Sequence, residues 1–77
     1  MPYDSSLDHE WFSRAAETDA GRIVVSVHSY NNGAKKLQIT REVKDRDGQL
    51  IFAKLGRLSK DETEGILPLI REALEVM

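Results

Sequence analysis

At 77 residues, with no cysteine and two histidines, the chain has room for at most one domain and for neither a disulfide framework nor a protein-built zinc site. An apolar fraction of 40% is ordinary for a globular chain, and no apolar run suits a membrane span or a signal peptide, so the expected location is the cytoplasm. The net charge of −2 conceals an asymmetry: residues 1–21 carry one basic against five acidic side chains, residues 59–77 two against five, and residues 22–58 eight against three. A basic middle between acidic flanks is either a solvated face or a surface for a polyanion, because clustered Lys and Arg release counterions from phosphates.

Residues 1–21 read as a tail or a short helix. Asp4, Ser5 and Ser6 can cap a helix start, and Leu7, Trp11 and Ala15 recur at four-residue spacing over barely three turns. Trp11 and Phe12 are adjacent large aromatics in an acidic segment. Trp11 is expected to dock on the core or on a partner subunit, since Asp8 and Glu10 beside it would repel the phosphates of a stacked base.

Residues 22–77 read as a single domain. Alternation in the first run puts Ile23, Val25 and Val27 on one face and Val24, Ser26, His28 and Tyr30 on the other, a strand with one core face and one half-polar face. His28 has no partner in spacing and reads as a surface strand residue. Asn31-Asn32-Gly33 signals a hairpin, because Asn and Gly tolerate the positive φ of tight connections. The next strand places Leu37, Ile39, Arg41 and Val43 on one face and Gln38, Thr40, Glu42 and Lys44 on the other. Asp45-Arg46-Asp47-Gly48 supplies the following turn. The third predicted strand, from Gln49 to about Lys54, is apolar on both faces, as expected where both are covered or where subunits meet. Gly56 permits a bend, and Arg57-Leu58 leaves room for a very short fourth strand. Ser59-Lys60-Asp61-Glu62 is a capping box that opens a helix over 60–77. Its apolar stripe of Ile66, Leu67, Ile70, Ala73, Leu74 and Met77 is broad enough to bury against more than one surface, and Pro68 is expected to kink it.

No nucleophile stands beside a base, no glycine pattern cradles a phosphate, and the carboxylates are explained by capping and solubility. The expectation is therefore a protein that is not an enzyme, with no catalytic residues, no metal, no cofactor and no small-molecule substrate.

The stretch VVSVHSY…KLQI…DRDGQLIFAKLGRLSKDE resembles the single-stranded-DNA-binding domain of the transcriptional positive cofactor four family, including its small bacterial members. The resemblance lies in Val25-Ser26-Val27 with Tyr30, Leu37-Gln38-Ile39, Asp45 to Gly48, Lys54-Leu55-Gly56-Arg57, and Ser59 with Glu62. It implies an α+β fold, a curved antiparallel sheet of three to four strands followed by a C-terminal helix (β-β-β-β-α), in a homodimer packed through the helices. It also implies sequence-nonspecific binding of single-stranded nucleic acid, DNA or RNA, with Tyr30 stacking on a base and Lys54 among the phosphate contacts. Arg22, Lys35, Lys36 and Arg57 complete the expected set of cations. The chain departs from the family at Thr40, where an arginine is usual, and at Val43, where a second aromatic is common. A one-residue slip would recover Arg41 at the cost of turning the core face outward. The rival expectation is a protein-interaction module that uses its sheet edge or apolar helix and binds no nucleic acid.

Overall fold

The computed structural model describes residues 4–19 and 21–77. A single 3-10 turn, Ser5–Leu7, leads into four strands, β1 (Asp8–Glu17), β2 (Gly21–Tyr30), β3 (Lys36–Lys44) and β4 (Leu50–Ala53), and a helix, α1 (Lys60–Val76). The strands form one antiparallel meander in the order β1-β2-β3-β4, and α1 crosses one face of it over β1 and β2. The expected β-β-β-β-α order is present, but its four strands are not the expected four. Residues 8–17 are a strand, not a tail or short helix, so the sheet begins well before residue 22. No strand forms at Arg57-Leu58, where the chain between β4 and α1 is irregular.

The turns follow from local chemistry. Asn31 and Asn32 both have positive φ, 50° and 61°, and Gly33 donates its N–H to the Tyr30 carbonyl at 2.9 Å, the mirror-image turn whose twist suits a hairpin. In the β3–β4 turn the Asp45 carboxylate accepts from the N–H groups of Asp47 and Gln49, both at 2.9 Å, and Gly48 takes φ +79°. Gly21 is required for another reason: a Cβ there would lie 2.0 Å from the Glu42 carbonyl oxygen, so β2 can start beside β3 only without a side chain.

The core is thin. Ile23, Val25 and Val27 of β2 are fully buried beneath Ile66 and Ala73 of α1, with Phe12, Ala16, Ile39, Leu69 and Ile70 packed around them. An added Cβ at Gly65 would lie 3.6 Å from the Ala16 Cβ, so the helix approaches β1 closely at that point. The helix runs unbroken through Pro68. Its N-terminus closes as a capping box, with Ser59 Oγ accepting from Glu62 N–H at 3.1 Å and Glu62 Oε1 accepting from Ser59 N–H at 2.9 Å.

β1 escapes an alternation test because its alternation breaks. The register with β2 shifts between Glu10 and Phe12, leaving Trp11 as a bulge. His9 pairs with Ser29 and Phe12 with Val27, so residues on either side of the bulge face the helix side in opposite sequence phase. The bulge thereby seats both adjacent aromatics on that side. Trp11 Nε1 donates to Ser29 Oγ at 2.9 Å, the His9 ring lies against the indole, and the ammonium of Lys35 stands 4.2 Å from the centre of its ring. Trp11, expected to dock on the core or on a partner subunit, rests against β2 and the Lys35 side chain of its own chain, outside the core cluster and with 47% of the residue still exposed.

Candidate nucleic-acid interface

Because α1 covers one face only, the other face of the sheet is open as far as the described residues go, and the pairing register determines which residues lie on it. From β2 come Arg22, Val24, Ser26, His28 and Tyr30, and from β3 Lys36, Gln38, Thr40, Glu42 and Lys44, as the alternation predicts. β4 adds Leu50 and Phe52, paired with Lys44 and Glu42. β1 contributes Asp8, Glu10 and Glu17, opposite Tyr30, His28 and Arg22. The open face is therefore split by charge. Its β1 margin is acidic, while β2 and β3 set Arg22, Lys36 and Lys44 against Glu42 alone. Arg22 Nε donates to that Glu42, which leaves no bare carboxylate on the β2–β3 part of the face.

The expected site residues are not all brought together. Tyr30 ends β2 on the open face, 38% exposed, with its hydroxyl accepting from the Asp4 N–H at 2.9 Å. Lys36 is exposed on the same face, across from His28. A shallow depression lined by Asp8, His28, Tyr30, Gly33, Lys36 and Gln38 joins them, so one carboxylate faces the tyrosine beside the lysine. Arg22 is on this face too, but half-engaged by Glu42. Lys54 and Arg57 are exposed in the irregular segment after β4. Lys35 belongs elsewhere: its ammonium donates to the Val76 carbonyl at 2.8 Å on the helix side, where it stands over Trp11 and offsets the negative end of the helix.

Thr40 lies on the open face, as the apolar phase of β3 requires. Arg41 points the other way. Its guanidinium grips the Glu62 carboxylate with both terminal nitrogens, one at 3.3 Å, while Nε donates to the Leu55 carbonyl at 3.2 Å. That guanidinium, helped by the Ser59 N–H, holds the Glu62 carboxyl down at about 2. Arg41 is thus spent on locking the helix start to β3 and adds no cation to the face that carries Thr40.

Sequence reasoning missed two features of this face. Phe52 is 76% exposed, the largest exposure among the large apolar side chains described. Its orientation was not legible because Leu50, Ile51 and Phe52 are all apolar, which hides the alternation. The second is a polar chain across β1 and β2: His28 Nε2 lies 3.0 Å from Ser26 Oγ, and Asp8 Oδ2 lies 3.2 Å from His28 Nδ1 without hydrogen-bond alignment. This has the connectivity of a hydrolytic triad but not its working parts. Ser26 is 2% exposed and sits mid-strand between paired neighbours on both sides, so no pair of N–H groups converges on a reacting oxygen.

No family model, curated protein or solved structure matches this chain. Among the described residues, no cluster of His, Asp or Glu is placed to hold a metal ion, and no helix is long and apolar enough to cross a membrane.

Proposed function

We propose that this chain is a sequence-nonspecific single-stranded nucleic-acid-binding protein acting as a homodimer, in the manner of the positive cofactor four family that its β2–α1 stretch resembles. The observation that carries the reading is the sheet face away from the helix, where the exposed Tyr30 stands near Lys36, Lys44 lies at the far end of β3, and Glu42 between them is already paired with Arg22. Bases stack on such a ring whatever their sequence, and cations beside it hold the backbone. Tyr30 is the stacking residue and Lys36, Lys54 and Arg57 contact phosphate, joined by Lys44. Lys35 is assigned instead to the helix end.

The dimer has separate support. The helix covers the inner side of β3 and β4 only in part, with Leu37 38% and Ile51 47% exposed, while its own far side shows Leu67 at 47% and Leu74 at 64%. A protomer this small, with five buried apolar residues among those described, gains most by burying that surface against a second copy.

A salt series on oligo(dT) tests the binding. The logarithm of affinity should fall with the logarithm of salt by roughly 0.7 per phosphate contacted, and Lys36→Ala should lower the slope by about one such step. Tyr30→Ala should weaken binding at every salt concentration. Absence of binding at low salt would overturn the reading and favour the protein-docking module. Sedimentation at micromolar concentration tests the dimer, which a monomeric mass refutes.

A further inference from the structure

We infer that Phe52 is a second base-stacking platform, and that a bound single strand crosses the open face from Tyr30 over β3 to the β4 edge, avoiding β1. The inference rests on the reading above and names a contact that neither the alternation nor the family resemblance assigns. Three observations carry it. Phe52 pairs with Glu42, which puts its ring on the face opposite the helix, and at 76% exposure packing within the protomer does not explain it. Exposed apolar side chains gain by being covered, and a phenyl ring offers a flat π-face on which a base can stack. The ring's surroundings suit a polyanion: Lys44 lies two pairs away opposite Leu50, Lys54 follows two residues on, and Glu42, directly across from the ring, is held by Arg22. At the other margin Asp8, Glu10 and Glu17 would repel a phosphate backbone, and His28, the histidine of this face, already sits between Asp8 and Glu10. The basic path therefore leads from Tyr30 to β4.

The two rings are far apart. Lys36 to Glu42 along β3 alone spans about 20 Å, and β2 and β4 are separated by two strand spacings, roughly 10 Å. One base cannot touch both, so the second platform acts only on strands long enough to reach it.

The test compares wild-type protein, Phe52→Ala and Phe52→Trp on oligo(dT) of about 12 nucleotides and on an abasic strand of equal length, within the site-size range of sheet-type binders. Stacking predicts that Phe52→Ala weakens oligo(dT) binding by roughly 5- to 100-fold, that Phe52→Trp preserves it, and that neither changes affinity for the abasic strand. Because the ring is exposed, the thermal midpoint of the free protein should not move. Equal loss on both strands would overturn the inference, since stacking requires a base. Unchanged affinity of Phe52→Ala for oligo(dT), with Tyr30→Ala still impaired, would overturn it while leaving the proposed function intact. If wild-type protein binds neither strand, the proposed function falls and this inference with it.

Discussion

At one edge of the sheet, β1 runs for ten residues under the helix, broken by a bulge and acidic on its open side; at the other, β4 runs for four residues with Leu50, Ile51 and Phe52 all exposed. Edge strands invite pairing with other chains unless they are bulged, charged or covered. β1 uses all three defences and β4 only its shortness. The difference separates a half of the molecule whose apolar side chains are packed under the helix from a half that leaves them exposed.

Two substitutions of the same type break this comparison most sharply. Ile66 is 2% exposed over the β2 core, so Ile66→Ala should lower the unfolding free energy by about 2–5 kcal/mol in a denaturant titration. Ile51→Ala, at a residue 47% exposed, should change protomer stability by no more than about 1 kcal/mol. It should instead raise the concentration at which the dimer dissociates. Equal effects of the two on protomer unfolding would erase the distinction between the halves.

The ion pair that joins the halves gives a pH-dependent version of the same experiment. Glu62 is held at about 2 by Arg41, below its ordinary 4.5, so it stabilises the fold above pH 4.5 and the contribution is lost as pH falls from there through 2. Glu62→Gln should flatten the fall in denaturation midpoint across that window and lower the midpoint at pH 7, where Arg41 is left without its carboxylate. The smallest effect is expected from Lys35→Met. It removes the cation over Trp11 and the contact to the Val76 carbonyl, worth roughly 0.5–1 kcal/mol together, and should leave the salt slope of oligo(dT) binding unchanged. A reduced slope would return Lys35 to the phosphate contacts.

What could be read from the sequence was what local chemistry decides. The Asn31-Asn32-Gly33 turn, the Asp45–Gly48 turn and the Ser59–Glu62 capping box each depend on a few neighbouring residues, and each formed as expected. So did the phase of β3, including Arg41 on the apolar side. β1 was hidden because Leu7, Trp11 and Ala15 are four apart, a spacing shared by one face of a helix and one face of a strand, and because the Trp11 bulge breaks the alternation that would have told them apart. The candidate site was half legible. Tyr30 and Lys36 followed from alternation, whereas the diversion of Lys35 to the helix end and of Arg22 to Glu42 depends on contacts across 41 and 20 residues.

Arg41 also bears on how faithfully the sheet is assembled. Apolar matching alone would set the register of β3 weakly, since half of that strand is uncovered. Sliding β3 by one residue would put either Thr40 or Glu42 opposite the helix start in place of Arg41. The first would leave Glu62 without a cation, and the second would press two carboxylates together. A mispaired sheet is thus penalised electrostatically at the point where the helix docks, so the one ion pair selects the strand alignment as well as holding the helix.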